Sequence, residues 1–215
     1  MALEGREKLL GEQRIEDVCR ALGAHIPDVG PSKAAKRNAA VAMVISEQGD
    51  QGLSALFIQR AEHPGDPWSG QMAFPGGRYE ASDSSLDAAA RRETLEEVGL
   101  ELSEEMLVGR LSDVSGGRLG AHGLAVSPFV FHHPGPGGLT LNYEVAATVW
   151  VPLSHLGDPG NIRPYVFPRD PAQREFPSWQ YEGYTIWGLT YRIIGSYLRL
   201  FGVEIPGEAE VTDVE

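Results

Sequence analysis

The chain has 215 residues, 42% of them hydrophobic and 22% charged, the balance of a globular protein with room for one good-sized core. Thirty Asp and Glu against eighteen Lys and Arg leave a formal charge of −12, which argues against long-range attraction to nucleic acid or an anionic membrane. No apolar run reaches the ~18 residues of a spanning helix, Met1–Arg6 opens no basic-then-apolar leader, and the single Cys19 offers neither an internal disulfide nor a zinc spacing. A cytoplasmic protein with neither nucleic-acid nor membrane partners is expected.

Residues 3–23 predict a helix, because Ile15, Val18, Cys19 and Leu22 recur at helical spacing on an apolar face and Gly23 can end it. Residues 25–35 carry Pro27, Gly30 and Pro31 and read as a linker, so 1–35 is set apart as an N-terminal helix and linker. Ala39–Ser46 and Leu53–Gln59 are strand-like runs separated by turn residues, the pattern of a hairpin. His63–Ser69, with two prolines and a glycine, is a loop. Met72–Pro75 is short and extended and leads into Gly76–Gly77. Residues 84–98 predict a helix with Gly99 as its left-handed cap. Strands are expected at Met106–Leu111, Leu124–Phe131 and Glu144–Pro152. A helix is expected over Tyr184–Phe201, with Ile186, Leu189, Ile193, Ile194, Tyr197, Leu198 and Phe201 on its buried face. The tail from Val203 to Glu215 is acidic, contains no base, and is expected to be disordered. Strands, one central helix, more strands and one late helix together predict an α+β fold around a single core spanning 36–202.

The segment that carries chemistry is Arg92-Glu93-Thr94-Leu95-Glu96-Glu97-Val98-Gly99-Leu100. At about 100° per residue, Glu93 lies about 40° from Glu97, and Glu96 about 100° to the same side. Ala88, Leu95 and Val98 fall on the opposite arc and are expected to face the core. Three clustered carboxylates repel one another, and that repulsion raises their pKa values unless a cation intervenes. Arg92 supplies part of that cation, and a hard Mg²⁺ or Mn²⁺ ion supplies more. Three glutamates by themselves more often mark a solvated helix face. What shifts the weight is Phe74-Pro75-Gly76-Gly77-Arg78 upstream, where paired glycines permit close backbone approach, their amides can face a phosphate, and Arg78 can grip one as a fork.

These residues resemble the Nudix hydrolase family. Its box runs Gly, five residues, Glu, seven residues, then Arg-Glu-aliphatic-x-Glu-Glu-x-Gly-aliphatic. Gly77, Arg92, Glu93, Glu96, Glu97, Gly99 and Leu100 match. Asp83 stands where the first Glu belongs, Thr94 replaces the aliphatic residue, and one extra residue separates Asp83 from Arg92. Leu56-Phe57-Ile58-Gln59-Arg60 and Gly70-Gln71-Met72-Ala73-Phe74-Pro75-Gly76-Gly77 resemble the signature of the coenzyme A pyrophosphatase branch. There Ile58 replaces a Thr, the Arg60-to-Gly70 gap is one residue long, and Asp66-Pro67-Trp68-Ser69 stands where the branch carries an internal Arg.

The resemblance implies a Nudix fold, an α/β/α sandwich with a mixed central sheet between helices, over residues 36–202. It implies metal-dependent hydrolysis of a pyrophosphate bond in a nucleoside diphosphate linked to X, most directly coenzyme A or acyl-coenzyme A. Glu93, Glu96 and Glu97 are the implied metal ligands for Mg²⁺ or Mn²⁺, and Glu96 or Glu93 the implied proton acceptor. Arg60, Gly76, Gly77 and Arg78 are the implied substrate contacts, while Arg92 and Gly99 are structural members of the box. Glu144 and Glu182 are further candidates for base or extra ligand. Trp68, Phe74 and Trp187 are candidates for stacking on adenine or lining a pantetheine channel. A small-molecule nucleotide is the implied partner, and a homodimer is compatible with the family. ADP-ribose, dinucleotide polyphosphates or dNTPs are alternative substrates. A nucleotide-sensing module without turnover is the alternative of another class.

Overall fold

The computed structural model describes residues 13–29, 37–66, 68–115, 124–135, 137–170 and 172–207. Successive side chains of a strand point to opposite faces, and β1 (Arg37–Glu47) is apolar at both parities. Ala40, Ala42 and Val44 are buried on one side, Met43 and Ile45 on the other. Such a strand belongs in the middle of a sheet covered on both faces. β1 accordingly pairs antiparallel with β2 (Leu53–Arg60) and β4 (Gly76–Arg78), and parallel with β7 (Leu124–His132). β3 (Met72–Ala73) and β8 (Val145–Pro152) add antiparallel to β2. β5 (Leu107–Arg110) and β6 (Val114–Ser115) add antiparallel to β7, completing a mixed sheet of eight strands. The expected hairpin is its β1–β2 pair, with Ile45 opposite Ala55.

On one face lies α2 (Leu86–Val98), whose Ala89, Ala90 and Val98 pack with Ala40, Ala42, Val44, Leu56 and Ile58. The Ser85 hydroxyl accepts from the Ala88 amide at its start, and Gly99, at φ +68°, closes its end as expected. The other face carries α1 (Ile15–Ala24), α4 (Gly188–Arg199) and a second antiparallel sheet of β9 (Ile162–Val166), β10 (Glu175–Tyr181) and β11 (Tyr184–Trp187). A short α3 (Leu153–Gly157) follows β8. The expected α+β sandwich, helices on both faces of a mixed sheet, is therefore present.

Four details depart from expectation. In α1, Val18 and Leu22 are buried but Cys19 is exposed, so the apolar face is narrower than the spacing suggested; residues 3–12 of that helix lie outside the described residues. α1 is also docked on the core, since Tyr197 donates its buried hydroxyl to Gln13 Oε1 at 2.9 Å. Residues 184–187, expected at the start of the late helix, are strand β11; the chain turns at Gly188 (φ +65°), the first residue of α4. Val203 and Ile205 are buried and Tyr191 donates to the Pro206 carbonyl, so 203–207 is packed chain rather than disordered tail, while 208–215 lies outside the described residues. Among the described residues no helix is long and apolar enough to cross a membrane.

Candidate active site

α2 packs across β1 and β4. Its buried arc is Ala89, Ala90, Thr94, Glu97 and Val98, whereas Leu95, expected inside, is 50% exposed. Thr94 satisfies its own hydroxyl on the Ala90 carbonyl at 2.7 Å. Glu97 is inside, only 3% exposed; Glu93 is half-buried and Glu96 faces out. The core and the carboxylates are thus not on opposite arcs. The wheel angles fixed the carboxylates relative to one another but not the direction of the helix as a whole.

The strand beneath explains that direction. β4 offers Gly76 and Gly77: the Glu93 carboxylate fills the volume that a side chain at Gly77 would take, and Glu97 reaches the Gly76 amide. Gly76 donates its amide to Glu97 Oε2 at 2.8 Å. A methyl at Gly77 would overlap the Glu93 carboxylate. At Gly76, with φ +150°, a methyl would strike the Ala40 carbonyl and the Val41 backbone of β1. The bonds Ala42 N–H to Pro75 O and Tyr79 N–H to Asn38 O bracket the Ala40–Gly77 pair. Antiparallel alternation therefore turns the Gly77 amide toward β1 and the Gly76 amide toward α2. Both amides, expected to face a phosphate, are committed within the protein; Gly77 admits the Glu93 carboxylate and Gly76 bonds that of Glu97.

Burial pushes the Glu97 carboxyl up to about 8, against the pull of the Gly76 amide, and the charge of Glu93 adds to the rise. Burial also raises Glu93, opposed by Arg92, while Glu96 and Glu144 add repulsion. Arg92 organises this edge of the helix. Its Nε and Nη2 reach the two oxygens of buried Asp83 at 2.9 and 3.1 Å, its Nη1 reaches Glu93 Oε1 at 3.0 Å, and Nη2 also donates to the Arg78 carbonyl. Glu96 Oε1 lies 3.5 Å from Nη1. Asp83 is fixed in turn by the Glu80 amide at 2.8 Å. Sequence reasoning noted Asp83 only as a departure from the box; its place nine residues before Arg92 was the available signal.

Glu144 joins the site through the loop over the end of α2. Thr140 donates its amide to the Val98 carbonyl, Asn142 to the Glu97 carbonyl, and Glu144 to Asn142 Oδ1. Its exposed carboxylate acts on both Glu93 and Glu97. Glu182 is not brought here. It caps the β10–β11 turn beside α3, where His155 reaches the Gln180 carbonyl and stacks edge-on with Tyr181. α3 follows Pro152, which pairs with Ser54. Ser54 and Arg60 lie about 20 Å apart along β2.

Arg60 ends β2, acts electrostatically on Glu97 and pairs through Nη2 with Asp66 Oδ2 at 2.8 Å. The Arg78 side chain is exposed. Of the aromatic candidates, Trp68 is exposed and Trp187 is half-buried among Tyr165, Phe167 and Phe176. Phe74 is core, stacked on Phe57 at 4.7 Å.

The donor chemistry suits a hard divalent cation. Two carboxylates are held close by burial and glycine, both raised by desolvation and by mutual repulsion, with Glu97 Oε1 and Glu93 Oε2 carrying no hydrogen bond among the described residues. Among the described residues no three Asp, Glu, His or Cys are gathered as a ready-made ion site, and Glu96 leans on Arg92 instead.

A family model described as NUDIX domain matches residues 36–174. The chain is 34% identical over 183 residues to a protein of Citrobacter koseri described as uncharacterized Nudix hydrolase NudL, covering 82% of this chain and 89% of that one. A protein of the same description from Salmonella paratyphi B is 34% identical over 171 residues, covering 79% and 85%. Among solved structures, a MutT/nudix family protein from Enterococcus faecalis is similar in fold, with a TM-score of 0.53 over 97% of this chain and 78% of that chain, at 16% identity.

Proposed function

We propose, from the premise that this chain belongs to the Nudix family of hydrolases, that its substrate is coenzyme A or an acyl derivative. Hydrolysis would yield adenosine 3′,5′-bisphosphate and (acyl-)phosphopantetheine. The family assignment makes the protein a pyrophosphohydrolase of nucleoside diphosphate–X compounds. Support for coenzyme A comes from the segment Leu56–Gly77 and its likeness to that branch.

The observation that carries the chemistry is the pair Glu93 and Glu97 seated over Gly76 and Gly77. In our reading Glu93 and Glu97 would hold the ion, with Glu96 as the third carboxylate. Mg²⁺ or Mn²⁺ held there would supply the charge that neutralises phosphate oxygens. Arg92, anchored on Asp83, keeps Glu93 in place. Glu96, the exposed carboxylate of the three, accepts the proton of the attacking water, with Glu144 on the facing loop as the second candidate. Arg60 and Arg78 contact the phosphates, whose charge passes from the broken P–O bond to the departing phosphate oxygen.

The test is a product analysis. The protein is incubated with coenzyme A, acyl-coenzyme A, ADP-ribose, diadenosine polyphosphates and dNTPs, with and without Mg²⁺ or Mn²⁺. Adenosine 3′,5′-bisphosphate is expected from coenzyme A, and Glu97→Gln is expected to lose at least ~100-fold in kcat with its fold intact. Turnover of ADP-ribose but not coenzyme A overturns the substrate. Tight nucleotide binding without product under any metal overturns turnover itself and favours a sensor.

A further inference from the structure

We propose that Asp66 is a positioning residue for Arg60, holding its guanidinium away from the site carboxylates and open to a substrate phosphate. This rests on the reading above that Arg60 contacts phosphate.

The loop between β2 and β3 closes on Arg60 itself. Arg60 donates its amide to the Gln71 carbonyl at 3.0 Å, and Gly70 donates to the Arg60 carbonyl at 3.1 Å. Within the loop, Ser69 Oγ accepts from the His63 amide and donates to the His63 carbonyl. Asp66 Oδ1 accepts from the Trp68 amide at 3.0 Å, which leaves Oδ2 aimed at Arg60 Nη2 at 2.8 Å. A second strut comes from the connection between β9 and β10. Arg169 reaches Glu62 Oε2 at 3.2 Å and the Asp66 carbonyl at 3.5 Å. The stretch that departs from the coenzyme A branch, Asp66–Ser69, is thus the one that grips the arginine.

Asp66 engages only Nη2. Arg60 Nε is buried and has no acceptor among the described residues, and the guanidinium is close enough to influence the charge on Glu97. An arginine on a long stem, freed from Asp66, would settle against Glu97, the site carboxyl whose ionised form it already favours. There it would be lost to a phosphate. One carboxylate six residues along, itself locked by a backbone amide, prevents that collapse and leaves the remaining N–H groups for the ligand.

The whole chain is assayed with coenzyme A and with ADP-ribose as wild type, Asp66→Ala, Arg60→Ala and the double variant. Asp66→Ala is expected to raise KM about 10-fold while kcat stays within about twofold. The Kd of ADP, measured by calorimetry without divalent ion, is expected to weaken by a similar factor. The double variant is expected to be no worse than Arg60→Ala, because Asp66 acts only through that side chain. Arg169→Ala is expected to raise KM about threefold. Asp66→Asn keeps the loop bond to Trp68 without the charge and runs the same cycle if the alanine variant does not fold. Multiplying effects in the double variant, or a lowered KM in Asp66→Ala, overturn the positioning role. An unchanged KM in Arg60→Ala overturns instead the reading that Arg60 meets phosphate.

Discussion

Gly77→Ala separates the architecture of the site from its chemistry. The added carbon lands on the Glu93 carboxylate, so Glu93 must swing and release Arg92 Nη1, now 3.0 Å away. The loss is one charge-assisted hydrogen bond, about 1.5–3 kcal/mol. It is offset because Arg92 keeps both Asp83 bonds and the Arg78 carbonyl, and because alanine in an ordinary backbone conformation gains about 0.4–1 kcal/mol through the unfolded chain. The net cost is about 1 kcal/mol, or roughly 2–4 °C in Tm for a chain of this size. On the proposed role of Glu93 as an ion ligand, activity falls much further, about 100-fold, since a displacement near 1 Å at a reacting site has that effect. Gly76→Ala should behave in the opposite way. Its methyl meets the β1 backbone at Ala40 and Val41 and adopts φ +150°, so β4 loosens and about 3 kcal/mol of stability goes with it. Thermal melts and steady-state phosphate release on both variants decide the matter. A Gly77→Ala protein with kcat within twofold of wild type, or one destabilised as much as Gly76→Ala, refutes the view that glycine here makes room for a carboxylate.

Two further outcomes follow from the same geometry. Asp83→Ala removes both fork contacts to Arg92 and the bond from the Glu80 amide, at an expected cost of about 2–3 kcal/mol by urea unfolding; kcat should fall too, and an unchanged kcat would show that Arg92 does not need its anchor. Because Arg92 holds the Asp83 carboxyl below its usual range, that stabilisation is present at neutral pH and is lost as pH falls below about 4. Glu97 gives the reverse dependence in EDTA. Its carboxyl lies near 8 in the folded protein against 4.5 when free, so its stabilisation is complete below about pH 4.5 and is lost as pH rises through 8. Glu97→Gln should flatten that decline between pH 5 and 9, and an identical slope in the variant would contradict it.

What the sequence revealed, and what it hid, follows from how far each signal reaches along the chain. β1 and β2 announced themselves because apolar runs of seven or eight residues flank turn chemistry, all of it local. The second sheet did not. Pro164 in β9 faces Pro177 in β10, charges flank both, and β11 runs straight into α4, so its Ile186 read as helical periodicity. The Asp66–Arg60 pair left no trace, since two residues six apart in a proline-containing loop share no period. At the site, residue type and spacing singled out Glu93, Glu96 and Glu97 as candidates, but Leu95 went outside and Glu97 inside because a helix turns its most accommodating side to the surface it covers. Glu97 goes inside where the neighbouring strand turns an amide toward it, and that strand lies some twenty residues earlier at Gly76–Gly77. An acidic helix alone predicts a wet face and a glycine pair alone predicts a turn. Read jointly they specify sunken carboxylates, because a buried acid needs vacated volume and donors: Gly76 supplies the backbone donor for Glu97, and Gly77 the volume for Glu93.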